Sequence, residues 1–368
     1  MAEQAGSSEL AEAAAIGGRP TVAVTALALA ALLLGACATG AGRAPAPAPQ
    51  ARPSGFAAAA ASKPDVTIVV TDSGLGGLSV VADLASRLPS SGIARSARIV
   101  FVNALLDDAI GYNDLRDEAD KVRVFDAALA AMEDRYRPDL VLVACNTLSV
   151  FYAKTEHARR GTTETVSIVP MGARLIQRTL REKPGATAVI FATKGTIDSG
   201  AHRALLVEAG VPEARVVGQA CPKLTGSIER GARSEETRER VRAFVAEAVA
   251  RLPEEPGPLV ASLNCTHFGY ARPLWEEAFA ALGHPDVTVL DPNPLMADLV
   301  LDEGRTGRWP ETKVTVEVVS KTPITREVRD ALGALLRTTS PATADALATW
   351  RHVPDLFHVE IDPARVVR

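Results

Sequence analysis

Hydrophobic residues along this chain fall into two regimes. From Val22 to Ala36 they run almost unbroken as Ala, Leu and Val, and no charged residue lies between Arg19 and Arg43. From Asp65 onward they form short apolar blocks, each closed by a polar cluster and followed by an amphipathic stretch. Short blocks rich in β-branched residues predict buried strands, and apolar positions recurring every three to four residues predict helices. On that basis Val66-Thr67-Ile68-Val69-Val70 is a strand, Asp72 to Gly77 a loop and Leu78 to Leu88 a helix. Leu140 to Ala144 is a second strand, running into Cys145-Asn146-Thr147 and another helix.

The second half of the chain repeats this plan. Ala188 to Phe191 leads into Thr193-Lys194-Gly195-Thr196 and a helix, and Leu259 to Leu263 leads into Asn264-Cys265-Thr266-His267. Asp72 and Cys145 are 73 positions apart, and Thr193 and Cys265 are 72. The near-equal intervals predict two related lobes, although two unrelated strand–helix units of similar size would give the same count. Alternating strands and helices make parallel sheets, whose ligands sit beyond the carboxyl ends of the strands. The expected fold is therefore α/β: two pseudo-symmetric doubly wound lobes with the active site in the cleft between them. Lobe 1 spans 65–166 and lobe 2 spans 167–286, while 287–368 returns to lobe 1 through Val287 to Leu290 and ends on a strand at Leu356 to Ile361. The segment from Arg305 to Asp330, with Val314 to Val319 inside it, is expected to be an insertion forming a surface β-excursion.

The first 64 residues stand apart from that fold. The apolar run has the character of a secretory signal, and it ends in Leu34-Gly35-Ala36-Cys37, which looks like a bacterial lipobox. Residues 1–36 then form a lipoprotein signal peptide, and Cys37 becomes the lipidated first residue of the mature chain. An uncleaved anchor helix, which needs ~20 apolar residues, would give the same run. So would a start codon placed too early, since residues 1–18 carry three Glu and no base. The Ala-, Pro- and Ser-rich stretch to Pro64 cannot form a core and completes a 37–64 tether, or equally a spacer without a role. The expectation is an exported lipoprotein on the periplasmic side. Ala38 in place of Asp favours the outer over the inner membrane.

Composition narrows the partners. The chain has 368 residues, 47% apolar and 23% charged, which is ordinary globular material. Forty Lys and Arg against 44 Asp and Glu give a net charge of −4, with no basic excess for nucleic acid phosphates. Of four cysteines, lipidation of Cys37 leaves three, so at least one thiol stays unpaired within the chain.

Cys145 and Cys265 each end a strand ahead of an expected helix, where free amides stabilise a thiolate and lower a pKa that starts near ~8.5. Those amides, the hydroxyls of Thr147 and Thr266 and the amide of Asn146 would hold a substrate carboxylate. Either cysteine alone reads as a small buried hydrophobe, but their matched placement favours a joint role. Inverting a carbon that bears hydrogen requires a base on one face and an acid on the other, and two thiols meet that symmetry. Asp72 and His267 are neighbours able to exchange protons with them or to orient a substrate ammonium group. Gly74-Leu75-Gly76-Gly77 lacks the dinucleotide spacing, Ser73 and Ser79 lack a nucleophile elbow, and the Cys and His positions make no metal motif. Neither cofactor nor metal is expected.

In order, these clusters resemble the cofactor-independent aspartate/glutamate racemase family, most closely its glutamate racemase branch. Asp72 to Ser79 is similar to the family's opening loop, Ala144 to Thr147 to its first cysteine motif, and Thr193 to Gly200 to the loop that opens the second lobe. Ala220-Cys221-Pro222 with Glu229, and Cys265-Thr266-His267, resemble the remaining two. The resemblance runs from about Val66 to Val289, and more loosely to Ile361. It implies Cys145 and Cys265 as the two bases, Asp72 and His267 as their helpers and Glu229 as an auxiliary acid. Ser73, Asn146, Thr147, Thr196 and Thr266 would then hold the substrate, with Tyr112 in the pocket wall. Two departures bear on which substrate side chain fits: Gly111-Tyr112-Asn113 stands where the family has Pro-Tyr-Gly, and Phe268-Gly269 where it has Tyr-Pro. The implied partner is a small acidic amino acid, glutamate or aspartate, and the family context allows a homodimer. A racemase serving peptidoglycan synthesis is expected in the cytoplasm, which pulls against the leader. A hydantoin racemase, or an exported lipoprotein that only binds an amino acid or cell-wall fragment, would carry the same motifs.

Overall fold

A computed structural model of the chain describes residues 63–108, 110–301 and 306–367. The expected signal peptide, Cys37 and all but the last two residues of the tether lie outside the described residues. No helix among the described residues is long and apolar enough to cross a membrane.

The first lobe follows the hydrophobic pattern closely. Strand β1 (Asp65–Asp72) leads to helix α1 (Leu78–Ser91), then β2 (Ser96–Asn103), α2 (Glu118–Tyr136), β3 (Leu140–Val143), α3 (Asn146–Tyr152), α4 (Glu156–Arg160) and β4 (Thr165–Ser167). Helix α1 outlasts its expected end at Leu88, taking Pro89 into its last turn before Gly92 caps it in the left-handed region at φ 58°. The second lobe runs α5 (Ile168–Glu182), β5 (Thr187–Ala192), α6 (Lys194–Asp198), α7 (Ala201–Glu208), β6 (Val216–Ala220), α8 (Leu224–Gly231), α9 (Glu235–Val249), β7 (Leu259–Leu263), α10 (Arg272–Ala281) and β8 (Thr288–Leu290). The chain returns through α11 (Asn293–Val300), β9 (Lys313–Ser320), α12 (Arg326–Arg337), α13 (Pro341–Ala348) and β10 (Arg351–His352).

Both sheets are parallel, and they share a strand order. The first reads β10-β9-β2-β1-β3-β4 and the second β6-β5-β7-β8. Strands β2-β1-β3-β4 and β6-β5-β7-β8 therefore repeat one plan, as the matched intervals predict. Strands β3, β5 and β7 are buried along their whole length, as expected where helices cover both faces of a sheet. The ladders also end alike. The Ala144 amide donates to the Thr71 carbonyl at 3.0 Å, and the Asn264 amide to the Phe191 carbonyl at 2.8 Å. Each of these closing residues sits directly before a cysteine, so both thiols emerge at the carboxyl ends of their sheets.

The return path differs from expectation in three places. Thr288–Leu290 is the edge strand of the second sheet, paired with β7, so the chain crosses back only after Leu290. Val314 to Val319 is no surface excursion: β9 pairs with β2 over its full length, from Ser96–Lys313 to Asn103–Ser320, and lies inside the sheet. Leu356 to Ile361 forms no strand. The edge of the sheet is already taken by β10, and Leu356 and Phe357 instead plug the hydrophobic cluster formed around α2 and β3.

Candidate active site

The loops after β1, β3 and β7, with residues at the start of α8, enclose a cavity of about 370 Å³. Asp72, Ser73, Tyr112, Cys145, Asn146, Thr147, Glu229, Cys265, Thr266 and His267 all line it. Among the expected site residues only Thr196 does not. Its buried hydroxyl lies behind Thr147, 3.3 Å from the Thr147 hydroxyl and 3.1 Å from that of Thr193. Thr193 caps α6, and its hydroxyl also meets the Thr147 hydroxyl at 2.9 Å, so this trio fastens the first lobe to the second at one end of the cavity.

Two proton-handling groups form around the cysteines, and their electrostatics differ. On the first lobe the Cys145 thiol lies 3.1 Å from the Ser73 hydroxyl. Burial pushes the Cys145 pKa up, and the Asp72 carboxylate adds to the rise, while the Ser73 hydroxyl and the Leu148 amide offset only part of it. The expected lowering by helix amides is thus reversed. Cys145 does precede a helix, but at 5% exposure it is largely removed from water and faces a negative charge. Asp72 in turn accepts a 2.7 Å hydrogen bond from the Thr266 hydroxyl across the cleft.

On the second lobe the Cys265 sulfur lies 3.8 Å from Nδ1 of His267, and Nε2 of His267 lies 2.7 Å from Glu229. Burial alone would lower the His267 pKa, but the hydrogen bonds and charges of Cys265 and Glu229 outweigh it and hold the imidazole well above the usual histidine range. Burial likewise opposes charge on Glu229, yet the His267 contacts and a 3.2 Å bond from the Leu75 amide keep its carboxyl below the ordinary value. Cys265 is followed by a turn and a short 3-10 helix, Phe268–Ala271, rather than the expected α-helix.

The surrounding backbone is built tight. A Cβ on Gly76 would come within 2.7 Å of the His267 amide nitrogen, so the opening loop can pass under Thr266 and His267 only as glycine. Asn293 ties the same turn from behind, donating to the Thr266 carbonyl at 3.0 Å and the Ser79 hydroxyl at 3.1 Å. Tyr112 and Asn113 form part of the wall, and the Asn113 side chain accepts from the Gly195 amide at 3.1 Å. Sequence reasoning gave no role to Asn264, Lys223, Thr225 or Asp114, which also line the cavity. Asn264 carried a signal in its place directly before Cys265. Lys223 carried none, since its left-handed backbone at φ 62° shows only in the fold. Cys145, Cys221 and Cys265 are all free and buried.

Comparison with known proteins gives a consistent set of likenesses. A family model described as Asp/Glu/Hydantoin racemase matches residues 68–300. Glutamate racemase of Paracoccus denitrificans is 31% identical over 257 residues, covering 67% of this chain and 87% of that protein. Glutamate racemase of Lactiplantibacillus plantarum is 28% identical over 221 residues, covering 60% and 72%. Among solved structures, glutamate racemase of Francisella tularensis in complex with D-glutamate matches with a TM-score of 0.57 at 18% identity, covering 75% of this chain and 95% of that one. That last likeness speaks for the fold.

Proposed function

The chain belongs to the Asp/Glu/hydantoin racemase family, and from that premise we propose that it racemises glutamate by passing the Cα hydrogen between two thiols, Cys145 and Cys265. The observation that carries the reading is their placement. One cysteine comes from each lobe, both at equivalent strand ends on one cavity, and each has its own proton partners. Cys145, kept as a thiol by burial and by Asp72, starts as the proton donor. Cys265 starts as the base, its sulfur 3.8 Å from Nδ1 of the His267 imidazolium. The thiolate removes the Cα proton, the electron pair left on carbon delocalises into the α-carboxylate, and the opposite thiol delivers its proton to the other face. Reversal of the two roles serves the other enantiomer, with Asp72 and the His267–Glu229 pair returning protons to the starting positions. Asn146, whose amide atoms are buried without a partner among the described residues, offers its N–H donors to the substrate carboxylate, and Asp72 faces its ammonium group.

Incubating L- and D-glutamate separately with reduced protein tests this directly. Each is expected to approach a 1:1 mixture, and aspartate to turn over more slowly. Failure to convert glutamate while aspartate or a hydantoin is inverted would reassign the substrate.

The leader supports a second element of the proposal, that the enzyme is an exported lipoprotein anchored through Cys37. The support is the apolar run ending in Leu34-Gly35-Ala36-Cys37 and the tether composition. Wild-type chain grown with labelled palmitate is expected to carry the label and Cys37→Ser to lack it. An unlabelled wild type would sink the anchor while leaving the chemistry in place.

A further inference from the structure

The wall of the catalytic cavity carries three carboxylates, Asp72, Asp114 and Glu229, and two basic side chains, His267 and Lys223. All but Lys223 are engaged. Asp72 accepts from the Thr266 hydroxyl at 2.7 Å, Asp114 from the Gly111 amide at 2.8 Å, and Glu229 and His267 meet at 2.7 Å. Lys223 is exposed, and its ammonium group has no hydrogen bond or ion pair among the described residues. It also holds a costly backbone conformation. Among the described residues, Lys223 and Arg137 are the non-glycine positions with left-handed φ, at 62° and 45°. Arg137 closes helix α2, where that conformation is ordinary. Lys223 instead opens α8, where extended backbone is the rule and a side chain in the left-handed region is strained. Strain of this kind collects at sites that use the residue.

Glutamate brings two carboxylates and one ammonium group into this cavity. Asp72 faces the ammonium group and Asn146 the α-carboxylate, which leaves the side-chain carboxylate without a counter-charge. Three wall carboxylates oppose its entry, and His267 is already tied to Glu229. Lys223 is the single lysine or arginine on the wall. Its four-carbon stem is flexible, and its exposure leaves the ammonium group free to follow a ligand. We propose that Lys223 is a specificity-determining residue whose ammonium group pairs with the side-chain carboxylate of the substrate. The pairing selects acidic over neutral side chains and offsets the negative wall. The proposal rests on reading the cavity as a glutamate racemase site.

Steady-state racemisation of glutamate by the full chain, beside thermal melting, tests the assignment. Lys223→Met is expected to raise KM severalfold while kcat changes less, the scale of an ion pair partly open to water. Lys223→Arg keeps the charge and should stay near the wild-type KM. Lys223→Gly removes the side chain and relieves the left-handed turn, so it should melt no lower than wild type and yet share the raised KM of Lys223→Met. That combination separates the task of the side chain from that of the backbone, and the glycine variant decides if Lys223→Met fails to fold. An active wild type whose KM is matched by Lys223→Gly would overturn the proposal and leave the glutamate reading intact. A Lys223→Arg variant as impaired as Lys223→Met would also overturn it, since the charge would not be what counts. A wild type that leaves glutamate unconverted would overturn both readings.

Discussion

At Gly76 the opening loop has no room for a methyl group, because a Cβ would meet the backbone amide of His267 as well as the Thr266 hydroxyl. Gly76→Ala is therefore expected to cost ~1–3 kcal/mol by overpacking and to lower activity by displacing Thr266 and His267. Chemical denaturation beside a turnover assay checks both, and a variant with wild-type stability and rate would show that the loop yields easily. Glu229 sets a second prediction. It raises the His267 pKa, so Glu229→Gln should let the imidazolium lose its proton at lower pH. The alkaline limb of the kcat/KM profile should then move to lower pH, because the opposite charge that holds the imidazolium is gone. A limb that stays in place would mean that His267 titration does not govern turnover. At this scale the sequence was only partly legible. Cys145, Cys265, Asp72 and His267 were singled out because their polar clusters sit at strand ends, and Glu229, inside α8, only through the family resemblance; all five line the cavity. The sequence misjudged the Cys145 thiol, because burial and the Asp72 charge arise only once β1 and β3 pair within the folded lobe. It placed Thr196 at the substrate, whereas the hydroxyl turns to Thr147 and Thr193.

Among the elements, the early strands were readable because each is a continuous apolar block, and the late ones were not. In β9 the pattern Lys313-Val314-Thr315-Val316-Glu317 alternates, as a half-wet strand does, and nothing local shows that its partner is β2, more than two hundred residues earlier. Leu356 to Ile361 has similar alternation yet forms no ladder. Its continuation does touch the site. The Arg116 amide donates to the Arg365 carbonyl at 2.9 Å, the Val367 amide to the Asp114 carbonyl at 2.7 Å, and Leu115 bridges Val366. Arg365 also meets the buried Asp120 at 3.2 Å. The chain end thus holds one side of the wall segment Gly111 to Asp114, and the Asn113–Gly195 bond holds the other. Deleting residues 359–368 is expected to raise KM severalfold with a smaller change in kcat, measured on protein shown by circular dichroism to be folded. A folded deletion with unaltered KM would show that the wall stands without its strap.

Over the whole molecule, function follows from a repeated plan. Two four-stranded units of identical order present equivalent strand ends to one cleft, and the repeat was visible in the sequence as matched intervals between polar clusters. The chemistry depends on the ways in which the halves differ: a thiol held protonated beside Asp72 on one side, and a thiol beside an imidazolium–carboxylate pair on the other. The most direct test is to follow the Cα position of L- and D-glutamate by NMR in heavy water with wild type, Cys145→Ala and Cys265→Ala. Wild type should place solvent deuterium at Cα as either enantiomer inverts, and each variant should lose inversion by on the order of 10²–10⁴-fold, the scale of a missing acid or base. Inversion at the wild-type rate by either cysteine variant would contradict the two-thiol account.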